Sequence, residues 1–334
     1  PVFRNFVISE DGKTSGIIVN IKKNNKINNI ENISQQEIEN LKDQIKKQNH
    51  ENILEIREII KTYDGVAKIY LGGIPMIADD MMTFIKSDII VFGLGVLLFI
   101  IITLWFVFRK LIWILVPISS CLFSVIIMMG LLGILGWKVT VISSNFIALM
   151  LILTMAMNIH MSTRFLQIRE DYPKKKTFEI LSLTTSKMFW PILYTVLTTI
   201  FAFLSLIFSE IKPIIDFGWM MTFGLITSFI ITFTLLPTLL NFTPTKNISV
   251  KKEEGSKITY FFGQLSISNK KIIFFFTGII IILSVIGISR LEVENSFINY
   301  FNKNTEIYKG MKLIDEKLGG TTPLEVILKF PDTE

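Results

Sequence analysis

The chain has 334 residues, of which 50% are apolar and only 19% are charged, and its mean hydropathy is +0.52. Soluble proteins keep about a quarter of their residues charged, so this composition excludes a soluble or disordered protein and indicates a polytopic helical membrane protein. The net charge of +6 leaves nucleic acid and an anionic membrane surface as alternative partners until the cations are placed. A single cysteine, Cys121, excludes an internal disulfide.

Near the amino terminus the pattern is that of a soluble α+β module. A turn at residues 10–13 separates two apolar segments, as in a hairpin. The capping box from Ser34 to Glu37 predicts a helix that continues to about Tyr63. The predicted strands are residues 3–9, 16–21 and 67–71.

Six apolar runs follow, each long enough to cross a bilayer core, which takes about 20 helical residues. A helix of a soluble core would carry charges on one face, whereas none of these runs contains Asp, Glu, Lys or Arg. They are therefore predicted to be membrane spans. The runs are residues 89–108, 111–136, 141–163, 190–208, 217–240 and 272–289.

The cations cluster in alternate loops between these spans. They occur at residues 109–110, 164–187 and 246–271, whereas the other loops carry only Lys138 and Lys212. Basic loops remain cytoplasmic, so we expect a multi-pass protein of the inner (plasma) membrane with both soluble ends extracytoplasmic. The positive charge is thus a topology signal, and nucleic-acid binding is unnecessary to explain it.

After the sixth span the soluble pattern resumes. A helix is predicted from about Thr305 to Leu318, ended by Gly319 and Gly320, and a strand begins at residues 324–330. Because the chain starts at Pro1 and stops within this strand, we expect it to be a fragment that is open at both ends.

The fourth and fifth spans carry a specific pattern of motifs. It resembles the signature of the resistance-nodulation-division (RND) superfamily, in its MMPL and sterol-sensing-domain-like branch. The end of the third span and the borders of the soluble parts also fit that branch. The segments that carry the resemblance are residues 191–199 (PILYTVLTT), 203–206 (FLSL), 211–213 (IKP), 216–218 (DFG), 235–239 (LLPTL), 158–165 (NIHMSTRF), 70–75 (YLGGIP) and 295–301 (NSFINYF), with Gly224.

The resemblance implies a fold class and a domain order. The chain would be the middle of a twelve-span transporter, polytopic and α-helical, with partial α+β ferredoxin-like porter domains at both ends. Its six spans would comprise five of the first repeat and one that opens the second. The implied divisions are a first porter domain to residue 87, a five-span membrane domain at 88–241, a cytoplasmic linker at 242–271, a further span at 272–289 and a second porter domain from 290.

One departure from the family pattern concerns the third span. Many members carry an acidic residue there that relays protons, and the matching positions here are Ala156 and Met157. No carboxylate occurs between Asp88 and Glu170. Membrane carboxylates are costly and usually functional, so the usual acidic relay is not expected in this half.

Asn158 and His160 are the most unusual polar residues at membrane depth. Asn158 shares a helix face with Thr154. One hypothesis makes Asn158 a remnant relay or ion contact against Thr198 or Thr199. The other is a structural interhelical hydrogen bond, which contributes about 0.6 kcal/mol and is favoured because such bonds are common in bundles.

His160 also has two interpretations. Histidine titrates near pH 6.5 and could shuttle protons. However, Arg164 marks the membrane interface one turn later, so His160 can reach water there, and a structural role is favoured.

The leading hypothesis is an exporter of hydrophobic or amphiphilic molecules such as lipids, driven by an ion gradient through rocking of its repeats. The alternative is a non-transporting lipid sensor or scaffold. Zinc-protease and P-loop motifs do not occur, so no enzyme activity, cofactor or metal is expected. The expected partners are membrane lipids and the substrate, with a homo-oligomer or accessory export proteins left open.

Overall fold

The computed structural model describes residues 7–21, 35–243, 257–292 and 296–321. Within these residues the chain is mostly helical, and short 3-10 turns precede or follow some of the helices. The α-helices are α1 (Gln35–Lys61), α2 (Ile74–Phe108), α3 (Ile112–Ile134), α4 (Phe146–Asp171), α5 (Thr177–Leu204), α6 (Lys212–Asn241), α7 (Lys257–Ser268), α8 (Lys270–Ile288) and α9 (Glu306–Lys317).

The six predicted spans are confirmed as helices long and apolar enough to cross a membrane. Two of them begin well before the apolar run does. Helix α2 begins at Ile74 and α5 at Thr177, so each helix contains polar residues ahead of its apolar run. The candidate spans are Ile74–Phe108, Ile112–Ile134, Ser143–Asp171, Thr177–Phe208, Lys212–Asn241 and Lys270–Ile288.

The chain divides into two compact units. We call residues Thr83–Phe276 the central unit, and the residues up to Met82 together with those from Thr277 the terminal unit. The spans of the central unit are therefore described separately from the helices of the terminal unit.

In the central unit, α3, α4 and α6 pack against one another. Their shared core contains Met128 of α3, Met150 of α4 and Met221 of α6, all buried. The end of α5 and the start of α6 also approach closely, since a Cβ on Gly218 would lie 2.7 Å from the Phe203 carbonyl oxygen. These contacts bring the polar faces of α3, α4 and α6 together.

In the terminal unit, α1 and α9 pack around a small apolar core. Ile53 of α1, Met76 at the start of α2, and Ile307 and Met311 of α9 are its buried members. The predicted second helix of this unit is confirmed as α9, and the Thr305 hydroxyl caps it by accepting a hydrogen bond from the Tyr308 amide at 3.3 Å.

The predicted hairpin turn is confirmed. Ile8 and Ser15 form an antiparallel bridge, and Gly12 adopts a φ of 64°, which glycine accepts at no steric cost. The helix predicted to end near Tyr63 is confirmed as α1, although Ser34 of its capping box lies outside the described residues.

The predicted α+β character is not supported, because the described residues contain a single β-bridge and no strand. The strands expected at 16–21 and 67–71 were therefore wrong, while residues 3–6 and 324–330 lie outside the described residues. An extended segment becomes a strand only when a neighbour completes its hydrogen-bond ladder. Leu71 instead lies against α9, where a Cβ on Gly310 would be 2.6 Å from the Leu71 carbonyl oxygen.

Candidate functional site

Five polar side chains meet in the interior of the central unit, and we call them the central seam. Ser124 comes from α3, Thr154 and Asn158 from α4, and Ser228 and Thr232 from α6. Each of the five is completely buried. None of them is ionisable at neutral pH, so the seam is polar but uncharged.

One half of the seam consists of three hydroxyl groups. The Ser228 oxygen lies 2.7 Å from the Thr154 hydroxyl and 3.0 Å from the Ser124 hydroxyl. A hydroxyl both donates and accepts, so Ser228 can satisfy both neighbours at once. The three spans are thereby joined at one level without a charge.

The other half is centred on the Asn158 amide. Its Nδ2 donates to the Pro117 carbonyl oxygen of α3 at 3.0 Å, and its Oδ1 accepts from the Thr232 hydroxyl of α6 at 2.9 Å. Asn158 therefore uses both ends of its amide to bridge two other spans. This geometry is that of the interhelical hydrogen bond favoured from the sequence.

Helices α4 and α6 face each other in a constant register. The hydrogen-bonded pairs Thr154–Ser228 and Asn158–Thr232 both join residues separated by 74 positions. Side chains four residues apart lie on the same helix face, so two parallel helices present their polar residues level with each other. Gly224 and Met150 continue this row, since a Cβ on Gly224 would lie 3.4 Å from the Met150 sulfur.

Two further buried serines lie beside the seam. Ser162 follows Asn158 by one turn of α4, and Ser120 precedes Ser124 by one turn of α3. Both hydroxyl oxygens are buried without a hydrogen-bond partner among the described residues. At the α4–α6 spacing, the position level with Ser162 is Leu236, which offers no polar group, and this accounts for the unpaired state of Ser162.

Thr198 and Thr199 do not take part in the seam. Thr198 donates to the carbonyl oxygens of Tyr194 and Thr195, and Thr199 donates to that of Thr195, all within α5. The structure thus brings Thr154 and Asn158 together with α6 rather than with α5.

The remaining candidates also lie away from the seam. His160 is exposed at the surface of α4. Ala156 lines an apolar groove of about 640 Å³ between α2 and α4. Met157 is buried against Ile192 and Leu225 on α5 and α6. Ala156 and Met157, which match the family relay positions, therefore do not belong to the central seam.

Sequence reasoning missed Ser124, Ser228, Thr232 and the Pro117 carbonyl. The available signal was the repeat of polar residues every four positions on α4 and again at Ser228 and Thr232 on α6. The repeat indicates a polar face on each helix, but it does not say which helices face each other.

The terminal unit contains a second polar centre, which consists of charged side chains. The Arg57 guanidinium lies 2.8 Å from the Asp80 carboxylate and 2.9 Å from that of Glu306, and we call these three residues the Arg57 cluster. Burial lowers the pKa of Arg57, but the hydrogen bonds and charges of Asp80 and Glu306 outweigh this and raise the pKa overall. Arg57 therefore joins α1 to both α2 and α9.

Nearby contacts fasten α1 further to the start of α2. The His50 Nδ1 lies 2.9 Å from the Asp79 carboxylate, and the Asn49 amide donates to the Pro75 carbonyl oxygen at 3.0 Å.

In the part of the chain that the structure describes, no group of three His, Cys, Asp or Glu side chains could hold a metal ion.

Comparison with known proteins assigns a family. No curated protein sequence matches the chain. The family model described as MMPL family matches residues 1–264, which includes the central seam and five of the six candidate spans. A match over most of the chain agrees with the motifs of the fourth and fifth spans, and we conclude that the chain belongs to the MMPL family.

Proposed function

We propose that the chain is part of an RND/MMPL-type transporter that exports hydrophobic or amphiphilic molecules, most simply lipids. The observation that carries the proposal is the family match over residues 1–264, together with six helices able to span a membrane. In this model the protein resides in the inner membrane with both ends extracytoplasmic, and it performs no catalytic chemistry.

The central seam bears on how such a transporter is driven. Its five side chains bind three spans to one another with neutral hydrogen bonds and contain no proton-carrying group. We therefore propose that the seam keeps α3, α4 and α6 together as one body. An ion gradient would then act elsewhere in the complete protein, which would move by rocking of its repeats.

A second candidate function is a lipid sensor or scaffold that does not transport. It is favoured by the neutral seam, because the family's proton relay uses a carboxylate and the chain has no carboxylate between Asp88 and Glu170. Sensor and transporter differ in whether an imposed gradient produces net movement of lipid.

The test is transport of a fluorescent phospholipid by the complete protein in proteoliposomes, with and without an imposed pH gradient. We expect export that depends on the pH gradient, whereas the absence of net lipid movement under the imposed gradient would contradict the transporter model and favour the sensor. Asn158→Ala should change the rate by less than about twofold if the seam is structural. Thr198→Ala is the matched control because that hydroxyl bonds only within α5. A complete loss in Asn158→Ala alone, with the fold intact, would instead make Asn158 a relay residue.

A further inference from the structure

Helices α5 and α6 separate at one end and leave a pocket between them. The pocket lies at the beginning of α5 and the end of α6 and has a volume of about 690 Å³. Further along the pair, the Phe189 ring of α5 packs against Phe229 and Phe233 of α6, with centroids 5.8 and 5.4 Å apart. These aromatic contacts hold the helices together and define the floor of the pocket.

One wall of the pocket is rich in hydrogen-bond donors. Ser182, Thr185 and Ser186 lie three or four residues apart, so their hydroxyls share one face of α5. The Asn241 amide lines the pocket from α6. The Thr238 hydroxyl, also at this wall, already donates to the Thr234 carbonyl oxygen at 2.9 Å. Three hydroxyls and one amide therefore face a single space.

The rim of the pocket is aromatic and exposed. Phe178 is 77% exposed, Trp190 57% and Phe242 79%, and all three line the pocket. Exposed Trp side chains such as Trp190 are typical of the headgroup level of a bilayer, whereas Phe178 and Phe242 add only apolar surface. The pocket thus combines an apolar rim suited to acyl chains with a polar wall suited to a headgroup.

The charge around this end of the bundle is positive. Residues 164–187 contain six cations and three carboxylates, and Lys174, Lys175 and Lys176 directly precede α5. The amino-terminal end of α5 also places the positive end of a helix dipole here, with Glu179 in its first turn as the opposing charge. An anionic ligand is therefore favoured over a cationic one.

We infer that this pocket binds an anionic phospholipid, with the phosphate at the α5 hydroxyls and Asn241 and the acyl chains along the aromatic rim. The residues that line the pocket are uncharged, so the preference for an anion comes from the cations that neighbour it in the sequence. Such cationic surroundings between spans commonly hold anionic lipid headgroups. The site is distinct from the central seam. In the proposed orientation the pocket lies in the cytoplasmic leaflet. Binding of the lipid itself requires neither that orientation nor transport.

Native mass spectrometry of the purified protein, titrated with phosphatidylglycerol or phosphatidylcholine, tests the inference. The Ser182→Ala/Ser186→Ala variant removes two hydrogen-bond donors. The Asn241→Asp variant replaces the amide with a carboxylate of nearly the same size, which adds a negative charge. Each should lower the affinity for phosphatidylglycerol on the order of tenfold, since hydrogen bonds to charged groups are the strong ones. Phosphatidylcholine carries the same phosphate beside a choline cation, so it should bind the original protein more weakly than phosphatidylglycerol.

Thr195→Ala/Thr198→Ala is the matched control, because these α5 hydroxyls are exposed and bond to their own helix. It should bind phosphatidylglycerol like the original protein. Equal affinities in control and pocket variants, or equal binding of the two lipids by the original protein, would overturn the inference. If the serine variant does not fold, the exposed Asn241→Asp decides alone. Because no gradient is applied, failure here is distinguishable from failure of the transporter model.

Discussion

The central seam and the Arg57 cluster both join helices, but they use different kinds of polar contact. Each joins three helices that are distant in sequence through polar side chains. The seam does so with hydroxyls and an amide that are completely buried. The Arg57 cluster instead uses one guanidinium between two carboxylates, and the Arg57 side chain is 25% exposed. Removing a charge from water is costly, so ionic joints are restricted to regions that water can reach. The choice of chemistry thus follows the surroundings of each joint.

The largest expected effect comes from placing a charge in the neutral seam. Asn158→Asp sets a carboxylate beside the Pro117 carbonyl oxygen, where the amide now donates. We expect the free energy of unfolding to fall by about 2.5–3.5 kcal/mol, the cost of Asp at the centre of a spanning helix. The free energy of unfolding is measured by titrating dodecyl sulfate into the protein in micelles of a mild detergent.

Asn158→Ala is the matched control for that experiment, since it removes both hydrogen bonds of the amide without adding a charge. It should cost only about 1 kcal/mol, because interhelical hydrogen bonds average about 0.6 kcal/mol each. An equal fall in the free energy of unfolding in the two variants would show that the seam tolerates a charge. The central seam and the Arg57 cluster would then not differ in this respect.

The second effect concerns the ionic joint. Arg57→Ala leaves Asp80 and Glu306 without their shared cation, and we expect a local loss of about 1–3 kcal/mol, between the values for exposed and buried ion pairs. Amide hydrogen exchange in α1 and α9 measures it. Lys46→Ala is the control on the same helix, because Lys46 pairs with Asp43 on an exposed face. Unchanged exchange in Arg57→Ala would show that the ion pair does not join these helices.

The smallest effect is a pH dependence at the hairpin turn of the terminal unit. The Ser9 hydroxyl and the Lys13 amide donate to the Asp11 carboxylate, and Lys317 lies 3.5 Å from it, which together lower the Asp11 pKa from 3.8 to about 2. A lowered pKa means that this stabilisation is complete above pH 3.8 and is lost as the pH falls towards 2.

A spin label on Lys13→Cys should therefore report a turn that loosens between about pH 4 and pH 2 and is constant above pH 5. In the Asp11→Asn background the same label should show no transition in that window. A transition that persists without the Asp11 carboxylate would assign the loosening to another group.

Much of the helical architecture could be predicted from composition and local signals. The spans follow from uncharged apolar runs, and the ends of α9 follow from Thr305 and the glycines after Leu318. The early start of α2 was not predicted, because Asp79 and Asp80 resemble loop residues until their contacts with His50 and Arg57 are known. Those contacts depend on tertiary structure.

The candidate site could be predicted only in part. The unusual position of Asn158 and its shared face with Thr154 are visible in the sequence. The relay hypothesis named a partner on α5, whereas the partners of Asn158 lie on α3 and α6. Thr198 and Thr232 are both hydroxyl residues in spans, and local sequence does not distinguish them. What separates them is that Thr232 faces α4, whereas Thr198 is exposed and bonds to its own backbone.

The constant spacing between α4 and α6 restricts how these two helices can move. A slide of α4 by one helical turn, about 5.4 Å, towards the end of α6 would set Asn158 beside Leu236 and leave its Oδ1 without a donor. The opposite slide would bring Thr154 to Gly224, which has no side chain to receive it. Each intermediate position breaks both pairs at once, so the two hydrogen bonds favour the present register of α4 and α6. A movement that keeps both hydrogen bonds must carry α4 and α6 together.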